Sequence, residues 1–311
     1  MTAFSRKYYR SLEPLLKPTD YLRPLNWPEI FGRDHPLEFE IGFGNGEFLH
    51  RQSLDQPARD FVGAEIAWAS LKRALRRLAS PPRPNVRVLL MKAEAALERC
   101  FAPGSLDVIR SLFPVPWPDE RQEKRRLFQR AFLDLAASRL KPGGRFILVT
   151  DSPELAYWTM EQAQGSALDL SLEERPAEMD TKYERKWQGG GQRTFFHLTG
   201  SQAAAAPARI ERPLEIHDMQ AYYRDRFDPD NFAPQGCAGE IVVKFKEFIY
   251  DRERAQGLLR AFVVEGPLTQ DFFINIRREG ERWKLSPAIA SQLFPTQGVA
   301  RALELAAEEQ P

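Results

Sequence analysis

The chain has only two cysteines in 311 residues, Cys100 and Cys237. Two cannot build a disulfide framework, and neither has the neighbouring Cys or paired His that a metal site needs. A reducing compartment suits that scarcity. Apolar residues never run near the ~18 to 20 consecutive positions of a membrane span. Met1 to Arg10 is polar and basic where a secretion signal requires an apolar stretch. The resulting expectations are no membrane span, no metal and a cytoplasmic location. An excess of one charge is also missing: 44 Lys plus Arg stand against 43 Asp plus Glu, so the overall balance says nothing of an acidic partner.

What is present is an ordinary globular composition, 43% hydrophobic and 11% aromatic, too rich in bulky apolar groups for a disordered chain. At roughly 150 residues per domain the length suits two. Charge is uneven along the chain, with 30 basic against 26 acidic residues in 1–200 and 14 against 17 in 201–311. Lys72 to Arg87 holds six basic residues and no acid, and Arg121 to Arg130 holds five and one acid. Such clusters bear more on phosphate binding than the sum does.

Gly200 to Pro207 (Gly-Ser-Gln-Ala-Ala-Ala-Ala-Pro) is small, low in complexity and closed by proline. It reads as a connector, so the expected division is a domain over 1–200, a linker over 201–207 and a second domain over 208–311. In the first, short apolar runs at Leu37–Ile41, Phe61–Ile66, Val86–Met91, Leu106–Leu112 and Arg145–Thr150 alternate with helical patterns. That alternation predicts a doubly wound, mainly parallel α/β sheet. One helix face is Trp68, Leu71, Leu75 and Leu78. A second is Leu127, Phe128, Ala131, Phe132 and Leu135, ending at Lys141-Pro-Gly-Gly144. In the second domain Ile241, Val243 and Phe245 alternate, Leu259–Val264 and Phe272–Ile276 are β-rich, Glu279-Gly280 suggests a hairpin turn, and a helix covers about 298–308. This predicts a smaller antiparallel α+β unit.

Glu40-Ile41-Gly42-Phe43-Gly44-Asn45-Gly46 follows a predicted strand and opens a helix. Glycines at 42, 44 and 46 allow a tight turn and close approach of a ligand to the backbone. The spacing is not that of dinucleotide binders, and Glu40 would repel a pyrophosphate while accepting from an amino-acid ammonium. Both features favour S-adenosylmethionine over NAD. Glu65, at the end of the next strand, stands where a carboxylate receives ribose hydroxyls, and Glu94 is placed to accept from the adenine amino group, unless it is only a helix-start carboxylate.

Phe113-Pro-Val-Pro-Trp-Pro118, followed by Arg121, Lys124, Arg125 and Arg126, lies at the carboxyl end of the fourth predicted strand, where open α/β sheets bind ligands. Trp117 offers a face for stacking a base and the cations offer phosphate contacts. The earlier face of Lys72, Arg73, Arg76 and Arg77 reads instead as a solvated helix surface. Thr181 and Glu184 have the spacing of a capping box, and Asp151 could cap the segment after Pro153.

Taken together, these residues resemble the bacterial tRNA (guanine-N7)-methyltransferases, which methylate a guanine in the tRNA variable loop. The resemblance spans roughly 36–194. It rests on the Glu40 to Gly46 loop, Gly63-Ala-Glu65, the proline-tryptophan loop ahead of Lys124-Arg125-Arg126, Lys141-Pro-Gly-Gly144, Thr150-Asp151 and Thr181-Lys-Tyr-Glu184-Arg185. It implies the seven-stranded methyltransferase fold, S-adenosylmethionine held by Glu40 and Glu65, and a target nucleoside held by Asp151, Thr181 and Glu184. The chain departs from the family pattern in three places. Val115 occupies the position of an aspartate assigned as catalytic, Asp119 that of a lysine, and Lys92 that of an acid near adenine. Asp151 becomes the candidate to replace the missing aspartate. Two other functions stay open: an RNA-binding protein on a methyltransferase scaffold, and a methyltransferase for a non-RNA substrate. Monomer and homodimer stay equally open.

Overall fold

The computed structural model describes residues 11–79, 82–203, 215, 219–288 and 293–308. The chain divides into two compact units, Met1–Arg212 and Pro213–Pro311.

The first unit runs α1 (Trp27–Phe31), β1 (Leu37–Ile41), α2 (Glu47–Asp55), β2 (Asp60–Glu65), α3 (Trp68–Leu78), β3 (Val86–Leu90), α4 (Ala93–Cys100), β4 (Leu106–Leu112), α5 (Arg130–Arg139), β5 (Leu140–Thr150), α6 (Pro153–Ala163), β6 (Leu168–Pro176), α7 (Lys182–Gly189) and β7 (Thr194–Gln202). Its seven strands lie in the order β3-β2-β1-β4-β5-β7-β6. β7 alone runs antiparallel to its neighbours, so the sheet is doubly wound and mainly parallel. The chain winds outward from β1 in one direction and from β4 in the other. The crevice where such an order reverses, outside the carboxyl ends of β1 and β4, is where sheets of this kind bind ligands.

Helices on both faces explain why β1 is buried throughout. Leu71, Ala74, Leu75 and Leu78 form the buried face of α3, whereas Trp68, expected on that face, is 56% exposed because it stands in the first turn at the sheet's carboxyl edge. Three other boundaries differ from expectation. α5 begins only at Arg130, after Gln129 as its N-cap, so Leu127 and Phe128 precede the helix although Phe128 is buried. Lys141 to Gly144 is a bulge inside β5, not a stop between helix and strand: Leu140 already pairs with Leu106, and pairing resumes at Val108 with Arg145. Gly144 is required there, since a Cβ would lie 2.9 Å from the carbonyl oxygens of Leu106 and Lys141. The expected linker also starts too early. Ser201 and Gln202 close β7 in register with Asp169 and Leu168, and the Gln202 amide donates to the carbonyls of Ala137 and Leu140. Residues 204–207 of that linker lie outside the described residues.

The second unit comprises β8 (Tyr222–Arg224), β9 (Ile241–Asp251), β10 (Gln256–Glu265), β11 (Leu268–Glu279), β12 (Arg282–Pro287) and α8 (Gln297–Ala307). The antiparallel sheet has the order β8-β12-β11-β10-β9. Alternate residues, among them Val243, Leu259, Ala261, Val263, Phe272, Ile274 and Leu285, pack with Val299, Ala302 and Leu303 of α8 into a core of their own. Period-two burial against one helix is what the sequence alternation dictates.

Candidate active site

Strand β1 brings two glutamates into a buried sheet. Glu38 and Glu40 project to the same side of the strand, and Arg110 of β4 is the register partner of Glu40. Glu38 is ion-paired with both Arg110 at 3.0 Å and Arg59 at 2.9 Å. Glu40, 6% exposed, is left over: its Oε2 is buried and has no hydrogen-bond partner. Burial pushes its carboxyl up to about 7, an effect that Arg110 opposes, the charge of Glu38 reinforces and Arg51 opposes more weakly.

Beyond Glu40 the chain turns through Gly42, Gly44 and Gly46 at φ values of +68, +57 and +70°, the left-handed region that side chains disfavour. Gly46 is also the N-cap of α2, and a Cβ there would lie 2.7 Å from the Cβ of Ala74 in α3. The loop is thus pressed against α3 and bound to β2. Glu65 accepts from the N–H of Gly44 at 3.1 Å as well as from Ile66 and Ala67 at 2.8 and 2.9 Å. Glu40, Gly42 and Gly44 line one cleft with Leu112 and Phe113 at the end of β4 and with Thr181, Lys182 and Tyr183 at the start of α7. This is the crevice where the strand order reverses. Glu94 stands half-buried in the first turn of α4, its carboxyl raised by burial against the opposing charge of Lys92.

The loops that lead from Phe113 and into Thr181, two residues of the cleft, carry backbone strain. Phe113, Trp117 and Asp180 all have positive φ (52, 47 and 45°), a conformation rare outside glycine that clusters at functional sites. Asp151, directly after β5, is half-buried, and burial raises its carboxyl while Lys186 opposes. It does not cap α6. Ser152 does, accepting from the N–H of Leu155 at 3.1 Å.

Three proposed contacts are corrected by the side-chain partners. Glu184 is completely buried and its carboxylate accepts from the N–H groups of Glu178, Met179 and Thr181. The capping box is real, and Glu184 shapes the turn that puts Thr181 on the cleft. It is not an open acceptor for a base. Arg126 is 7% exposed, donates to the carbonyl of Trp117 at 3.1 Å and lies over the Trp158 ring. It fastens the proline loop rather than facing solvent. The Arg125 guanidinium lies over one face of the Trp117 ring at 4.9 Å, which restricts stacking of a base to the opposite face. Arg121 and Lys124 are exposed, with Arg121 paired to Asp119 at 2.9 Å.

Sequence reasoning missed the clasp that seats α7 on α2. Arg51 donates to the carbonyls of Met179 and Asp180, and Arg185 pairs with Glu47 and Asp180 at 2.6 Å each. No local pattern signals contacts 128 to 138 residues apart. It also missed Arg110. A cation inside a strand otherwise buried, with two carboxylates on a sister strand, was the available signal.

The family model described as "Putative methyltransferase" matches residues 34–197. The tRNA (guanine-N(7)-)-methyltransferase of Thermotoga maritima is 36% identical over 94% of this chain and 96% of its own length. The Thermus thermophilus enzyme of the same name is 34% identical over 81% of this chain and 83% of its own. The chain belongs to the tRNA (guanine-N7)-methyltransferase family. A third relative of that name, from Methylococcus capsulatus, is 42% identical over 51% of this chain and 72% of its own. The Thermotoga match must include most of the second unit, whereas the Methylococcus match is confined to about half the chain. Within this family the second unit therefore accompanies some relatives and not every alignment.

Proposed function

We propose that this protein transfers the methyl group of S-adenosylmethionine to N7 of a guanine in the tRNA variable loop. The observation that carries the reading is the unpartnered, buried Glu40 carboxylate beside three left-handed glycines in the crevice between β1 and β4. An amino-acid ammonium is the partner it lacks, and the glycine loop leaves the backbone open to a ligand. Glu65, which already accepts from Gly44, is the acceptor for ribose hydroxyls, and Glu94 for the adenine amino group.

S-adenosylmethionine bound there supplies an electrophilic methyl carbon on a sulfonium. Guanine N7 has a free lone pair and no proton, so the protein needs no general base. As the N7–carbon bond forms, the carbon–sulfur bond breaks, the sulfur keeps the electron pair and positive charge moves onto the base. The work of the protein is to align the reacting atoms and to stabilise that charge. Asp151 matches the N1–H and N2–H donors of guanine bidentately, and its negative charge opposes the charge arriving on the ring. Thr181, held on the cleft by Glu184, orients the nucleoside.

One observation favours a second reading, an RNA-binding protein without turnover. Val115, at the position of the family aspartate, is 65% exposed and carries no charge. Incubating purified protein with methyl-labelled S-adenosylmethionine and unmodified tRNA, then mapping methylguanosine by mass, separates the two. Transfer to N7 supports the first, and tRNA binding without transfer leaves only the second. A methyltransferase for a non-RNA substrate would show no salt-sensitive tRNA affinity. Replacing Val115 by Asp should raise turnover if the chain is an attenuated enzyme.

A further inference from the structure

The outer face of α3 is a strongly cationic surface that the proposed chemistry leaves unused. Lys72, Arg73, Arg76 and Arg77 are all exposed, opposite the buried face of Leu71, Ala74, Leu75 and Leu78. Each lies one helical turn from another, 72 with 76 and 73 with 77. The strip continues past the helix to Arg83, whose buried Nε has no partner. Arg77 and Arg83 both come close enough to His50 to help burial hold its imidazole below the usual range. Among the described residues, none of these cations has a carboxylate within ion-pair distance, and no acid occurs between Lys72 and Arg87. Placing like charges one turn apart opposes helix stability, so the strip is best neutralised from outside.

Its position indicates by what. Arg73 and Ser70 line the cleft beside Gly44 and Glu40, and Arg73 donates to the Ser70 hydroxyl at 3.1 Å. The strip therefore begins at the cleft and leads away along α3. A polyanion with a charge on every repeating unit fits a row of cations spaced by helical turns, and a backbone gripped there keeps its bases near the cleft. We propose that the outer face of α3, Lys72, Arg73, Arg76 and Arg77 with Arg83 beyond it, docks the phosphate backbone of the tRNA. This rests on tRNA being the substrate.

The test uses the full chain and a tRNA transcript, with affinity measured between about 50 and 200 mM salt. Arg73 is left intact because it lines the cleft. The variant Lys72→Gln/Arg76→Gln/Arg77→Gln should lose roughly 10- to 100-fold in tRNA affinity at the low-salt end, uniformly across tRNA sequences. Its slope of log affinity against log salt should shrink by about 2 to 3. Calorimetry with S-adenosylmethionine should give the wild-type constant, which reports an intact fold. A companion, Arg121→Gln/Lys124→Gln/Arg125→Gln, removes equal charge from the other basic segment and should move tRNA affinity less. Equal losses in the two variants would reduce the effect to net charge and overturn the proposal. So would a wild-type slope and affinity in the α3 variant, which would leave the face to an acidic protein. If the wild-type protein itself binds no tRNA, the functional reading falls and this inference with it. If wild-type protein binds and methylates tRNA while the α3 variant does so equally, only this inference falls.

Discussion

The two basic segments look alike in sequence and differ in what surrounds them. In the segment from Asp119 to Arg126, Arg121 is paired with Asp119, Arg125 lies on Trp117 and Arg126 is buried against a carbonyl and Trp158. On α3, four neighbouring cations face solvent with no carboxylate partner among the described residues. The carboxylates divide the same way. Glu184 has three backbone donors, whereas Glu40, equally removed from water, has an oxygen with none. A carboxylate that the fold both buries and supplies with partners, as it does Glu184, holds structure together, whereas Glu65, which also accepts from three backbone N–H groups, is only half-buried and stays within reach of a ligand. A charged group left without partners is available to a ligand, because desolvating it without a partner is costly.

That contrast can be broken first at Asp151, where the largest effect is expected. Asp151→Ala should lower methyl transfer by about 10²- to 10³-fold, the scale for removing one preorganised electrostatic contact, with S-adenosylmethionine affinity nearly unchanged. Transfer at the normal rate would remove Asp151 from the guanine site. Next is Glu40→Gln, which should weaken S-adenosylmethionine binding by about 1.5 to 3 kcal/mol, read by calorimetry.

The pH dependence of Glu40 sharpens the same point. With its carboxyl near 7, the wild-type protein should bind S-adenosylmethionine progressively more weakly as pH falls below about 7, since the protonated form cannot balance an ammonium. The Gln variant should lack this dependence. Without ligand the sign reverses. Between the ordinary carboxyl value of 4.5 and about 7, the folded chain keeps a proton that the unfolded chain has released, so stability declines as pH rises through that window. At pH 8 the loss amounts to roughly 3 kcal/mol, and Glu40→Gln should recover much of it in a denaturant titration. A variant no more stable than wild type at pH 8 would contradict the buried, unpartnered placement.

Glu65→Ala should cost about 1 to 3 kcal/mol of cofactor affinity, and unchanged affinity would remove Glu65 from the cofactor site. The smallest effect on function is expected on the saturated side. Arg126→Gln should cost about 1.5 to 3 kcal/mol of stability, the scale for a charged hydrogen bond, while the salt slope of tRNA binding stays at the wild-type value. A flatter slope would mean that Arg126 meets phosphate after all.

Much of the molecule was legible along the chain. β1 and β4 begin and end where expected, and β2 and β3 come within a residue, because burial on both faces keeps each strand short and mostly apolar, even with Glu38 and Glu40 in β1 and Asp107 and Arg110 in β4. The Glu40 to Gly46 turn was visible because only glycine enters left-handed conformations freely. Thr181 and Glu184 were visible as a cap, although the resemblance to the family drew Glu184 toward the substrate. β6 and β7 were not delimited, since their polar, half-exposed stretches lack a buried run.

Local patterns, then, determined the strand and helix periods, the glycine turn and the positions of the charged residues, because backbone sterics and periodic burial act over a few neighbouring residues. Which of those charges are spent and which are open was decided only in three dimensions. Arg110 meets Glu38, Arg185 meets Glu47 and Arg126 meets Trp158 across gaps of tens to more than a hundred residues. Whether a charge finds a partner depends on which side chains the folded sheet brings within a few ångströms of it.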